Sequence, residues 1–392
     1  MKSWNRSFSA GAFSAWLHAL LLTSLFGASV AVAQDGYWIN SGGGSWANAG
    51  NWDPADGIAG GADNTAYFGF VREAAISPNA TFTISGAQTI GNLCFTTQGG
   101  ASSWTFNSSA GGSLTMDATF GSPEITVTSP SLQVSLNVLV AGGGGVEKDG
   151  PGTLALAAHN TYQGPTVVND GELYVNGLVG TGGVNVSNGT LGGTGVIMGP
   201  VVMGSGGALS LGNQSGPLTI NNSLVLLPGS TTTVTLNSTG KPAIQGLSSV
   251  AYGGTLVINN LSGPLSLGES FSIFGGAPAS GNFSAILPPP GPWLRWSFNP
   301  ATGQVSVVSS ASQPVFSNVN LAGTRLVCQL TAGPPGSPCY IMATTNLSQP
   351  MAAWTRIATN TFDMGGSVIC TNDFSGNGAS QVYLTAFVIP SP

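Results

Sequence analysis

Charge is scarce in this chain of 392 residues: 8 Lys+Arg and 14 Asp+Glu make up 6% of it, against roughly 25% in an ordinary soluble domain. Histidine is scarcer still, at 2, and the basic residues form no cluster. With a net charge of −6 and no Lys/Arg patch, the chain has nothing with which to neutralise a phosphate backbone, so nucleic acid is not expected as a partner. Long apolar runs are also missing apart from one near the N-terminus, which excludes a polytopic membrane protein. No window after that run carries the periodicity of an amphipathic helix. What is abundant is glycine, 59 residues, alongside a 42% hydrophobic content. The glycines keep no three-residue period, so collagen is excluded, and many apolar residues with little charge is the reverse of a disordered composition.

The N-terminal run has a recognisable layout. Lys2 and Arg6 precede an apolar stretch from about Ala15 to Phe26, and Ala31-Val32-Ala33 stands before Gln34. These are the three regions of a secretory signal peptide, residues 1–33, with cleavage expected after Ala33 and a secreted or cell-surface destination. Cleavage removes two basic residues and shifts the formal charge from −6 to −8.

From Gln34 to about Ser310, short alternating runs recur between Gly, Asn and Ser turns, as in Thr153-Leu154-Ala155-Leu156, Glu172-Leu173-Tyr174-Val175 and Thr255-Leu256-Val257-Ile258. Period-two alternation bounded by turn formers reads as half-buried strand. Runs this short and closely spaced suit a stack of coils of ~20 residues better than an ordinary sandwich. Sharp corners explain the glycine, which accepts positive φ, and the Asn and Ser, whose side chains bond nearby backbone.

One stretch is more specific. Lys148-Asp149-Gly150-Pro151-Gly152-Thr153-Leu154-Ala155-Leu156 is followed by Asn160-Thr161-Tyr162-Gln163-Gly164-Pro165-Thr166 and then Gly171-Glu172-Leu173. This resembles the autotransporter-associated β-strand repeat, whose pattern is K-x-G-x-G-T-L-x-L, N-T-Y-x-G-x-T and G-x-L. Downstream, Gly189 to Gly195 and Leu211-Gly212-Asn213 resemble the coils that follow such a repeat, and Trp46 with Asn51-Trp52 and Asp63 resembles the opening of similar secreted bacterial proteins. The resemblance implies a passenger-type, right-handed parallel β-helix at the surface of a Gram-negative cell, with a structural role in export or display. Within the repeat, alternation points Leu154, Leu156, Leu173 and Val175 inward. Asn160 and Thr161 offer polar groups to turn backbone, and Tyr162 is expected to cover a corner with its ring and turn its hydroxyl to solvent.

The expected organisation is all-β: an N-terminal strand region of the solenoid over 34–140, the repeat-bearing solenoid over 141–310, and a small β-sandwich-like domain over 311–392. That last segment is too short for the membrane barrel of an autotransporter, and its run Ala343-Thr344-Thr345-Asn346-Leu347, followed by Trp354 and Ala358-Thr359-Asn360, resembles the fibronectin-like C-terminal modules of secreted bacterial repeat proteins. Its expected strands are Arg325 to Thr331, Cys339 to Thr345, Trp354 to Ala358, Ser367 to Thr371 and Gln381 to Val388. Gly333-Pro334-Pro335-Gly336 reads as a hairpin turn that places Cys328 opposite Cys339, giving an expected Cys328–Cys339 disulfide in an oxidising compartment, with Cys94 and Cys370 unpaired.

Groups for chemistry are few. Once the signal peptide is gone His159 is the one histidine, on a turn, and neither GxSxG nor HExxH occurs. Glu147 with Asp149, and Asp170 with Glu172, are carboxylate pairs two apart that a strand would place on one face, the arrangement a carbohydrate-active β-helix enzyme needs. Asn51, Asp53, Asp56 and Asp63 crowd a Gly-rich loop and could offer oxygens to calcium, although Asp-Pro and Asp-Gly are ordinary turn pairs. Gly142 to Gly145 lacks the Gly-Lys-Ser/Thr of a phosphate loop. Trp38, Trp46, Trp52, Trp104, Trp293, Trp296 and Trp354 could stack on sugars if exposed, but are expected to close the ends of the solenoid or fill the C-terminal core. The reading is of an exported, non-enzymatic structural or adhesive protein without a cofactor. Extracellular polysaccharide or cell-surface components are its expected partners, and a carbohydrate-active enzyme or glycan-binding module is the alternative.

Overall fold

The computed structural model describes residues 33–70, 75–97, 99–212, 216–236, 243–261, 263–291, 294–309, 314–333, 336–373 and 383–388. The signal-peptide reading of residues 1–32, and Trp293, Asn213 and Pro334-Pro335, lie outside the described residues.

Strands in the first three quarters of the chain pair in parallel with the strand one coil later, which makes a β-solenoid. One inward column runs through Ala66, Leu93, Ile125, Lys148, Val168, Val186, Met203 and Leu226. A second runs through Trp104, Val134, Leu154, Leu173, Leu191, Leu209, Thr232, Leu256 and Ile286. A shorter third face stacks Val179, Ile197 and Ile220. In the repeat region each step is roughly twenty residues, as expected for coils that each bury one face against the next. Longer strands such as Thr81–Phe95 and Val184–Gly192 bend round corners and join faces into one 20-stranded sheet. Register shifts at Ser85/Ala87 and Val186/Asn188 let the strand turn there.

Aromatic residues collect where the stack begins and ends, while the core of the middle is aliphatic apart from Tyr162. In the first coils Trp38, Trp46 and Trp52 surround Phe68 at centroid distances of 5.6 to 5.7 Å, and Trp52 lies 5.1 Å from Trp38 and 5.0 Å from Trp46. All three indoles are buried, and their N–H groups donate to the carbonyls of Asn40, Ala59 and Trp46. In the last coils Tyr252, Phe274, Phe283 and Phe298 pack together at 4.8 to 6.2 Å beside an antiparallel sheet of Ser270–Ser272, Leu294–Asn299 and Gln304–Ser309. A terminal coil has no neighbour to cover one side, and large rings cover that area with few residues. Trp104 and Trp296 are buried as well, and Trp354 is half-buried. Among the described residues no tryptophan presents a fully exposed face to a sugar.

The second inward column contains an anomaly. Thr232 sits between Leu209 and Leu256, is 1% exposed, and its hydroxyl has no hydrogen-bond partner. Burying a hydroxyl without a partner costs free energy that an isosteric methyl does not. Thr232→Val is expected to stabilise the solenoid by about 1 kcal/mol, read as a higher denaturant midpoint at unchanged slope. A lower midpoint would show that the hydroxyl is satisfied in solution.

A separate core lies in the C-terminal part, built from Leu326, Cys328, Leu330, Cys339, Ile341, Phe362, Cys370 and Ala386. Two three-stranded antiparallel sheets supply it: Val315–Ala322, Arg325–Thr331 and Val368–Asp373 in one, and Thr355–Thr361, Pro338–Thr344 and Tyr383–Val388 in the other. The expected pairing of Cys328 with Cys339 lacks its cross-strand register. The hairpin on which it rested does not form, because both edges of Arg325–Thr331 are already paired, one with Val315–Ala322 and the other with Val368–Asp373. Cys339 is therefore in the opposite sheet, and Cys328 has Cys370 as its cross-strand neighbour.

Candidate functional site

The repeat is where the chain's few polar groups converge, and most of them hold coils together. Lys148 shares the parity of Val146 in the strand Val146–Asp149, so it points inward and is 0% exposed. Its ammonium donates to the carbonyls of Asp149 at 3.0 Å, Gly150 at 2.7 Å and, in the next coil, Asp170 at 3.0 Å. Those three bonds use all the donors an ammonium has. Burial pushes the Lys148 pKa down to about 8, opposed by the nearby carboxylates of Asp170, Asp149 and Glu172.

The depressed pKa makes stability depend on pH in a definite direction. Between about pH 8 and the unfolded lysine value of about 10.4, the folded chain has released a proton that the unfolded chain still holds, so this residue's contribution to stability rises with pH. The stability difference between the wild type and Lys148→Met is expected to widen across that range by up to about 1.4 kcal/mol per pH unit. Urea titrations of both proteins at pH 7, 8, 9 and 10 measure it, and a constant difference would contradict the depressed value.

Asn160 is the second fastener. It is 1% exposed, accepts from the backbone N–H of Val140 in the preceding coil at 3.0 Å, and donates to the carbonyls of Ala158 at 3.0 Å and Leu178 in the following coil at 3.1 Å. Thr161 is exposed, and it joins its neighbour through its backbone N–H to Val140 O. The Tyr162 ring is buried as its place at a corner suggests, but its hydroxyl does not meet solvent: it bonds Thr166 Oγ1 at 2.6 Å. Thr166 lies in the inward row between Val146 and Val184, which brings its hydroxyl inside, and burial raises the Tyr162 pKa to about 12.

The carboxylates are tied to the same framework. Glu147 and Asp149 do share an outward face, and the Asn169 amide donates to both, at 3.5 and 3.3 Å. Asp170 precedes the strand Glu172–Val175 and accepts from Gly171 N at 2.7 Å, while Glu172 accepts from the Thr153 hydroxyl at 3.2 Å. His159 is exposed and pairs through its backbone with Leu178.

The acidic loop does not converge either. The Asn51 amide is engaged with Asn40 and Ser45, and Asp53 accepts from Ala55 N within its own turn. Asp63 reaches across to Thr119, accepting from its N–H at 2.6 Å and its hydroxyl at 2.5 Å, bonds that hold its carboxyl below the usual range. Among the described residues no group of three or more His, Cys, Asp or Glu is placed to hold a metal ion.

Besides these carboxylates, the solenoid presents rows of uncharged hydroxyls outward. Thr81, Thr105 and Ser135 line up at successive coils, as do Thr231 and Thr255. Beside the first row the Asn137 amide donates to Asn107 Oδ1 at 3.0 Å. Hydroxyls and amides thus repeat at the coil spacing of about 4.8 Å.

These positions agree with what the chain is similar to. A family model described as the Passenger-associated-transport-repeat matches residues 146–175, the segment that contains Lys148, Asn160 and Tyr162. The Adhesin BmaC autotransporter of Brucella suis biovar 1 (strain 1330) is 38% identical over 105 residues, which is 26% of this chain and 3% of that protein. The Extracellular serine protease of Serratia marcescens is 34% identical over 102 residues, 26% of this chain and 10% of that one. The chain thus matches a tenth or less of the length of these curated relatives. It carries a passenger-associated repeat within a β-solenoid.

Proposed function

We propose that the chain is a non-enzymatic adhesive scaffold of the bacterial surface or surroundings, which meets extracellular polysaccharide or cell-surface components along the outward faces of the solenoid. The observation that carries this reading is the division of polar groups. The carboxylates, amides and lysine of the repeat are engaged in joining coils or closing turns, while the outward rows present regular hydroxyls and amides. Such rows match the repeating hydroxyls of a polysaccharide, and their weak individual bonds add along a regular chain. The adhesin among the relatives supports the same reading.

The test pairs binding with turnover. The exported chain is expected to retain an extracellular polysaccharide on a glycan array without releasing fragments from it. Thr105→Glu with Ser135→Glu is expected to abolish retention, while His159→Ala and Glu147→Gln with Asp149→Asn leave it unchanged. Fragment release that disappears in Glu147→Gln with Asp149→Asn would replace the scaffold by a carbohydrate-active enzyme.

A further inference from the structure

The C-terminal core holds three of the four cysteines, buried together: Cys328, Cys339 and Cys370. Two of them stand in register. Cys328 on Arg325–Thr331 is directly opposite Cys370 on the antiparallel strand Val368–Asp373, and the Cys328 thiol is hydrogen-bonded to the Cys370 sulfur. Directly opposed residues of an antiparallel pair have Cα atoms about 4.5 or about 5.5 Å apart, according to whether they are a hydrogen-bonded pair, and both spacings fall within the range a disulfide spans. Cys339 lies across the core in the other sheet. Its cross-strand partners there are Asn360 and Val388, so it stands in register with neither of the other two cysteines.

We propose that the exported chain carries a Cys328–Cys370 disulfide that clamps the middle of one sheet of the C-terminal unit to its edge strand, with Cys339 kept as the buried third thiol. The bond forms by thiol–disulfide exchange. The Cys370 or Cys328 sulfur, as thiolate, attacks the disulfide of an oxidant of the protein-disulfide or oxidised-glutathione class and releases one thiol of it. The partner cysteine then displaces the second, so that the two protein thiols lose two protons and two electrons and the oxidant becomes a dithiol. Burial holds the thiols in their protonated form, with Cys328 raised to about 11 and Cys370 raised as well, so the folded core resists attack and exchange belongs to the chain before the sheets close. From the facing sheet, the Asn360 amide donates to the Cys370 sulfur.

Peptide mapping of the exported full chain under non-reducing conditions, after thiol blocking in denaturant, is expected to yield the Cys328–Cys370 linked peptide, with Cys339 and Cys94 blocked as free thiols. Reduction should lower the melting temperature of the C-terminal transition in the wild type and in Cys339→Ala, and leave that of Cys328→Ala unchanged. Recovery of Cys339 linked to either partner, or of all four thiols free in the exported chain, would overturn the assignment. If Cys328→Ala fails to fold, Cys339→Ala and its peptide map decide together: a reduction-sensitive melt there comes from Cys328–Cys370 or from a Cys94 bridge, and the map tells which, a Cys94 bridge overturning the assignment.

Discussion

Gly171→Ala is expected to destabilise the solenoid by about 2 to 5 kcal/mol and to lower the cooperative melt of the whole rod. Gly171 has a φ of +68°, which costs an L-residue roughly 1 to 2 kcal/mol. A Cβ there would also stand 2.4 Å from the carbonyl oxygen of Gly150 and 2.5 Å from that of Gly152, both in the preceding coil. Overpacking adds a further 1 to 3 kcal/mol, and here backbone must move, since neither obstacle is a flexible side chain. The next coil repeats the arrangement, with the Cβ position of Gly189 lying 2.6 Å from Gly171 O, so a coil pushed outward disturbs its successor too. Thermal and urea denaturation of the variant measure the effect, and a loss under about 1 kcal/mol would mean that the coils have more room than their register shows.

Lys148→Met is expected to cost about 2 to 4 kcal/mol at pH 7. Two large effects oppose each other. Removing the ammonium relieves the desolvation that depresses its pKa, but it also strips three carbonyls of charge-assisted bonds worth about 1.5 to 3 kcal/mol each and leaves Asp170 O facing a thioether. The second effect is the larger. Lys148→Arg is expected to be no remedy, because a planar guanidinium cannot aim its donors at three carbonyls gathered round one point. Equal stability of wild type and Lys148→Met in urea titration at pH 7 would contradict this balance.

Much of the solenoid is legible in the sequence because its physics is local. The parity of Leu154, Leu156, Leu173 and Val175 places each of them inward, and all four are buried. Asn160 reads as a turn residue and is one, though its reach into both neighbouring coils depends on register, which a single coil does not display. Lys148 is harder, since a lysine between two acids reads as a solvated charge, and the parity it shares with Val146 is the one signal of its burial. The Tyr162 hydroxyl escapes a sequence reading because its partner Thr166, four residues on, is turned inward by neighbours one coil away.

In the C-terminal part, the strands from Arg325 to Val388 are legible within a few residues. Val315–Ala322 is not, because a register shift between Phe316 and Asn318 breaks its alternation. The near-symmetric placing of Cys328 and Cys339 about Gly333-Pro334-Pro335-Gly336 suggests a hairpin, but both edges of Arg325–Thr331 are taken by Val315–Ala322 and Val368–Asp373.

The carbonyls round the Lys148 ammonium have a consequence for proteolysis. Between Arg72 and Lys241 the sequence contains one basic residue, Lys148. A trypsin-like protease must draw that side chain into a specificity pocket, and the ammonium is fastened inside the rod to carbonyls of two successive coils. Cleavage of this span by such an enzyme therefore requires the coils to part first, so its digestion rate reports the opening of the rod rather than the accessibility of a loop.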